Sequence, residues 1–191
     1  MCFSLYSQEK KAYFGVDYTP TVATQLSPSV GQTNPLRFSS SFGLHFNHEI
    51  LRKSIYLEYG ICSIDRGFGY TVNVYNQTGD LFGRYRRIEK FHCLSIPFKV
   101  GFKSKDLYIE IGPSFNYIYT RRLKHNKNII DKTISEETNR ILLGGVLSFG
   151  TNFVPKYNRG LMFSLGAYSN VTYKPIYLNA GIKFGIKFRL K

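Results

Sequence analysis

The sequence predicts a single all-β domain, an eight-stranded antiparallel up-and-down transmembrane β-barrel. Three observations carry this expectation. From Tyr177 to Lys191 the chain alternates without a break, with Leu178, Ala180, Ile182, Phe184, Ile186, Phe188 and Leu190 on one face and glycine, polar and basic residues on the other. Ordinary strands run about 5–6 residues, so this length suits a wall between lipid and a polar lumen. The same period recurs seven times upstream, and most of the connections alternate between long and short.

Each strand is read from its apolar face. Residues 11–19 present Ala12, Phe14, Val16 and Tyr18, and 38–47 present Phe38, Phe42, Leu44 and Phe46. Residues 53–64 give Ile55, Leu57, Tyr59 and Ile61, and 90–103 give Leu94, Ile96, Phe98, Val100 and Phe102. Residues 107–120 give Leu107, Ile109, Ile111, Phe115 and Tyr117. In 139–151 the face is Ile141, Leu143, Leu147 and Phe149, although Leu142 and Val146 blur it, and 160–169 give Leu161, Phe163, Leu165 and Ala167. Residues 177–190 close the set. No Lys, Arg, Asp or Glu falls on this face within any strand core.

The connections are expected at 20–37, 48–52, 65–89, 104–106, 121–138, 152–159 and 170–176. The first six alternate long and short, as in outer-membrane barrels with long loops outside and short turns in the periplasm. Both termini then lie in the periplasm. The opposite arrangement is a soluble lipocalin-like barrel with its apolar face inward as a ligand pocket. Strand length, the many glycines on the polar face (Gly15, Gly43, Gly60, Gly101, Gly112, Gly144, Gly166, Gly181, Gly185) and tyrosines near strand ends favour the membrane orientation. Tyr18, Tyr56, Tyr59, Tyr117, Tyr119, Tyr168, Tyr173 and Tyr177 are candidates for interfacial girdles.

Composition agrees. No run approaches the roughly 18 apolar residues of a membrane helix, and a mean hydropathy of −0.20 is what two alternating faces average to. The formal net charge is +14, which favours an anionic partner. No basic helix or aromatic reading surface accompanies it, so nucleic acid is not an expected partner. Residues 1–7 read as the remnant of a signal peptide, apolar and then small at Ser7, with the barrel domain over 8–191.

The segment Leu94-Ser95-Ile96-Pro97-Phe98-Lys99 resembles the leucine–x–isoleucine–proline strand of the PorT-like family of Bacteroidetes outer-membrane β-barrel proteins. Leu107-Tyr108-Ile109-Glu110-Ile111-Gly112-Pro113 is similar to that family's next strand, and the closing run from Leu178 to its last strand. The resemblance implies an outer-membrane location and a small barrel. Some relatives serve protein secretion, so envelope or secretion proteins are implied as partners.

Functional candidates follow from parity. Asp17, Glu58, Lys99, Glu110, Lys183 and Lys187 fall on the inward face, with His45. Hairpin register is expected to set Lys99 opposite Glu110, Glu58 diagonal to Lys99, and Asp17 near Lys183. Such pairing is what a low-dielectric lumen demands, and it would lock the lumen. Pro97 and Pro113 are expected almost across from each other as a bulged seam. Cys62 and Cys93 share the inward face as candidates for a disulfide. Arg84, Arg86, Arg87, Arg121, Arg122 and Lys124 are expected in outer loops, where they would meet lipopolysaccharide phosphates or simply water.

No enzyme is expected. His45, His48, His92 and His125 are scattered without metal-ligand spacing, and His92 and Ser95 differ in parity. No glycine loop cradles phosphate, so no cofactor is expected. The function expected is a closed or narrow outer-membrane barrel with a structural or interaction role, possible alternatives being narrow porin-like passive transport and the soluble ligand barrel.

Overall fold

The computed structural model describes residues 11–25, 36–51, 54–125, 132–133, 141–158, 160–173 and 176–190. Eight long strands form one closed antiparallel barrel: β1 (Ala12–Gln25), β2 (Arg37–Leu51), β3 (Ile55–Tyr75), β4 (Leu81–Ser104), β5 (Leu107–His125), β6 (Ile141–Phe153), β7 (Leu161–Thr172) and β8 (Tyr177–Leu190). Each strand pairs with its sequence neighbour, and β1 pairs with β8 to close the ring. A two-residue strand, Lys132–Thr133, pairs with Arg122 and Leu123 on β5.

The barrel is polar inside and apolar outside. Phe42, Leu44 and Phe46 of β2, Phe98 and Phe102 of β4, and Phe184, Ile186 and Phe188 of β8 are all exposed. Their in-between neighbours Asn47, Glu58, Lys99, Glu110, Lys183 and Lys187 are buried. One outward row is aromatic across four strands: Phe14, Phe46, Tyr59 and Phe98 are register partners, with ring centroids 5.3, 6.0 and 6.5 Å apart. The uncertain strand resolves cleanly. Leu142 and Val146 of β6 point inward and are buried, so alternation holds along its whole length.

Several expectations change. The span 65–89 is no long loop, because β3 and β4 continue as a paired hairpin to a turn at 76–80. Apolar alternation marks only the stretch whose outer face is apolar, and β pairing outlasts it. Pro20 likewise does not end β1: the ladder to β8 skips from Tyr18–Phe184 to Thr21–Gly181 without a shift of register. Pro97 pairs with Ser114, the immediate neighbour of Pro113, so the two prolines do stand almost across the β4–β5 seam, but they form no bulge there. The ladder skips the steps where these donors are missing, and the irregularity in β4–β5 register falls at His92–Cys93 instead. Of the tyrosines, Tyr56 and Tyr177 point inward and are buried, and Tyr168, register partner of the buried Ser148, shares the inward face, so these three belong to the lumen and not to a girdle.

The hairpin tip is tied by its own side chains. Asn76 Oδ1 accepts from the backbone N–H groups of Thr78 (3.1 Å) and Asp80 (2.7 Å), and Gly79 supplies φ 88°. The Thr78 hydroxyl donates to Asp80 Oδ2 at 2.8 Å.

Candidate functional site

The lumen of the half nearer the chain termini holds an ion-pair knot. β3 contributes Glu58, β4 Lys99, β5 Glu110, β8 Lys183 and Lys187, β1 Asp17 and β2 His45. Glu58 and Lys99 are direct register partners, and Glu110 pairs with Gly101, which puts it diagonal to Lys99. The two relations are the reverse of those expected: the turn at 105–106 sets Ser104 against Leu107 and so Glu110 against Gly101, and the β3–β4 ladder sets Glu58 against Lys99.

Both glutamates reach all three lysines. Lys99 Nζ bonds Glu58 and lies 2.9 Å from Glu110 Oε2. Lys183 Nζ lies 3.2 Å from each of the two carboxylates and 3.8 Å from Asp17. Lys187 Nζ is 2.7 Å from Glu58 and 3.7 Å from Glu110. Glu58 is 1% exposed, Glu110 0% and Lys183 2%, so water does not screen these pairs. Three ammonium groups balance Asp17, Glu58 and Glu110. His45 Nδ1 sits 3.2 Å from Asp17 without hydrogen-bond alignment, and Nε2 is 3.9 Å from Glu58.

Neutral groups fill the remaining lone pairs. Tyr56 donates to Glu110 Oε1 at 2.9 Å, Ser148 donates to Oε2 at 2.6 Å, and Asn47 Nδ2 reaches Glu58 at 3.5 Å. The Tyr56 and Tyr108 rings lie under Lys187 at 5.7 and 6.0 Å. Glycines make the room. A Cβ on Gly101 would overlap the Tyr56 ring, and one on Gly15 would overlap His45. An eight-stranded barrel is just wide enough for side chains to fill, and here they fill it with bound charge.

All six charged residues read from parity are therefore brought together. Tyr56, Tyr108, Asn47 and Ser148 were missed as partners, although their parity alone places them inward.

A second level lies further from the termini. Arg66 of β3 is buried and donates from Nη2 to Asn116 Oδ1 (3.2 Å) and to Asn170 Oδ1. It was missed because the third strand was ended at residue 64. Ile64, Phe91, Cys93, Leu142 and Tyr177 form an apolar cluster at this end, with Phe91 and Tyr177 rings 5.5 Å apart. Arg121 bonds Glu89 and lies 5.7 Å over the Phe91 ring, so it turns into the lumen rather than to the outer rim. Arg122 is exposed. The side chains of Arg84, Arg86, Arg87 and Lys124 lie outside the described residues, as do residues 1–7; the strand backbones of these four basic residues pair within the extended hairpins.

Cys62 and Cys93 are free thiols. Cys62 pairs with Ser95 and Cys93 with Ile64, so they are diagonal and not opposite. Of the histidines, His92 stands on the outer face with Nδ1 2.5 Å from Asp65 Oδ1, and no group of three metal-ligating residues forms among the described residues.

Fold and site together define the class: a closed, eight-stranded meander barrel with a charged, filled interior. The chain is similar in structure to Neisserial surface protein A, with a TM-score of 0.50 and 11% identity over 96% of this chain and 100% of that one. It is equally similar to Ail, the attachment invasion locus protein of Yersinia pestis, with a TM-score of 0.50, 11% identity and the same coverage. At this identity the likeness is one of fold. No protein-family model matches the chain, and no curated protein does.

Proposed function

We propose that this chain is an integral protein of a Gram-negative outer membrane whose lumen is shut, with a structural or interaction role in the cell envelope. The observation that carries the reading is the inside-out distribution. Soluble monomers rarely expose contiguous apolar patches beyond a few hundred Å², yet here an apolar face is exposed on every strand of the barrel. A groove of about 460 Å³ between Tyr18, Phe42, Phe153, Phe163, Phe184 and Ile186 opens on that face and suits acyl chains. Lipid is the solvent this surface fits.

The knot argues against transport. A passing ion would have to part buried ion pairs, and breaking such a pair costs about 3–5 kcal/mol. The part left to act is the outer end, where the β3–β4 hairpin stands tallest. Short turns and both strand termini share the other end, which we place in the periplasm. Lipid and lipopolysaccharide are the proposed envelope contacts, with Arg122 at the outer rim facing phosphate. The segments 94–99 and 107–113 support a PorT-like role as an accessory of secretion proteins.

The test is refolding in detergent followed by gel migration with and without boiling, and then planar-bilayer recording. The expected result is a faster unboiled band and no conductance steps. Steady conductance would replace this reading with a narrow pore. Solubility without detergent and an unshifted band would replace it with a soluble barrel.

A further inference from the structure

The level around Arg66 differs from the knot in one respect that chemistry does not leave idle. Arg66 is 4% exposed, and among the described residues no carboxylate stands within ion-pair distance of it. The carboxylate best placed to serve, Glu89, lies two residues along β4 from the Phe91 that pairs with Arg66, and Glu89 is committed to Arg121. Two of the three guanidinium nitrogens, Nε and Nη1, have no partner. A buried cation needs both filled donors and a compensating charge. Two amide oxygens supply part of the first and none of the second.

Other unfilled groups face the same level. Ile64 pairs with Ser41, so Arg66, two residues on, is in line with Ser39. Ser39 pairs with Thr21, and Thr21 with Gly181. Asn179 pairs with Asn170, which already holds Arg66 Nη2. Ser39 Oγ, Thr21 Oγ1 and both side-chain polar atoms of Asn179 are buried without a partner. Four strands thus turn unfilled donors toward one stretch of lumen. The Nδ2 groups of Asn116 and Asn170 turn away from it, to Ser114 Oγ.

We infer that this level binds a small inorganic anion of halide size, held by Arg66 Nε and Nη1 with Asn179, Thr21 and Ser39. Water could fill the donors but would leave the charge unopposed, whereas one monovalent anion does both. The near-complete burial of Arg66, Thr21 and Asn179 fits a compact ion better than a bulky oxyanion.

The test uses the refolded full chain. The midpoint of heat-induced loss of the fast-migrating band is followed as sodium chloride replaces sodium gluconate at fixed ionic strength. The expected result is a saturable rise, since an ion that binds only the folded state stabilises it by mass action. In Asn179→Leu the half-saturating chloride should rise about tenfold, and in Arg66→Gln the dependence should vanish. Equal midpoints in chloride and gluconate would overturn the proposal, as would a rise with sulfate or phosphate but not chloride. Should neither variant fold, crystals of the wild-type grown in bromide decide: an anomalous peak beside Arg66 supports the site, and its absence there overturns it.

Discussion

The two levels of the lumen both bury charge and treat it in opposite ways. Around Glu58 and Glu110 every charge has several partners: two carboxylates each reach three ammonium groups, and Asp17 completes the balance. Around Arg66 a single cation is held by amide oxygens, with half-filled donors beside it. The first arrangement is finished, and the second is open. Burial therefore does not distinguish a structural charge from a binding one; what distinguishes them is whether the partners close.

The largest effect should come from breaking the finished level. Lys99→Met removes one of the three lysines that Glu58 and Glu110 share and leaves an uncompensated buried charge, and should cost about 3–5 kcal/mol, read as a lower urea midpoint in detergent. An unchanged midpoint would mean the knot does not lock the barrel. Arg66→Met should be much milder, about 1–2 kcal/mol, because it strands two amide oxygens but removes an uncompensated charge. A loss as large as that of Lys99→Met would erase the contrast between the levels.

Gly101→Ala probes the knot from behind. The new methyl meets the Tyr56 ring, whose hydroxyl serves Glu110, and overpacking of this kind costs about 1–3 kcal/mol. Gly145→Ala, at a site with no close side-chain neighbour, is the control and should leave the midpoint in place. The smallest effect lies outside the barrel. Hydrogen bonds from Thr78 and Asn76 hold the Asp80 carboxyl below its ordinary value. Their contribution is present above the usual aspartate range and is lost as pH falls through the lowered value. Amide shifts of Thr78 and Asp80 should move together in that acid window, and the lumen should not respond.

Much of this architecture was legible in the sequence, because a strand with one apolar outer face and one polar lumen face writes its period into the residues. Lys99, Glu110 and Lys183 could be placed inward by parity, and their mutual need for partners followed from burial. The second level was not legible for a physical reason. Arg66 lies where the outward residues are no longer apolar: Ser63 and Asp65 flank the end of the apolar run. Where the outer face is no longer apolar, the signal that marks strands disappears while the hydrogen-bond ladder continues. Register was the other limit. The two-residue turn at 105–106 decides whether Lys99 stands opposite Glu110 or diagonal to it, the β3–β4 ladder separately sets Glu58 against Lys99, and parity fixes neither.

The β1–β8 seam has a consequence for assembly. Of the three lysines that neutralise the knot, two arrive on the last strand, Lys183 and Lys187. Until that strand docks, Asp17, Glu58 and Glu110 share only Lys99, and the unfinished wall carries two excess negative charges. Insertion of the final hairpin is therefore drawn by the interior as well as by hydrogen bonds at the seam. A chain stopped before residue 177 would carry its own mark of incompleteness, an acidic cleft where the complete molecule is neutral.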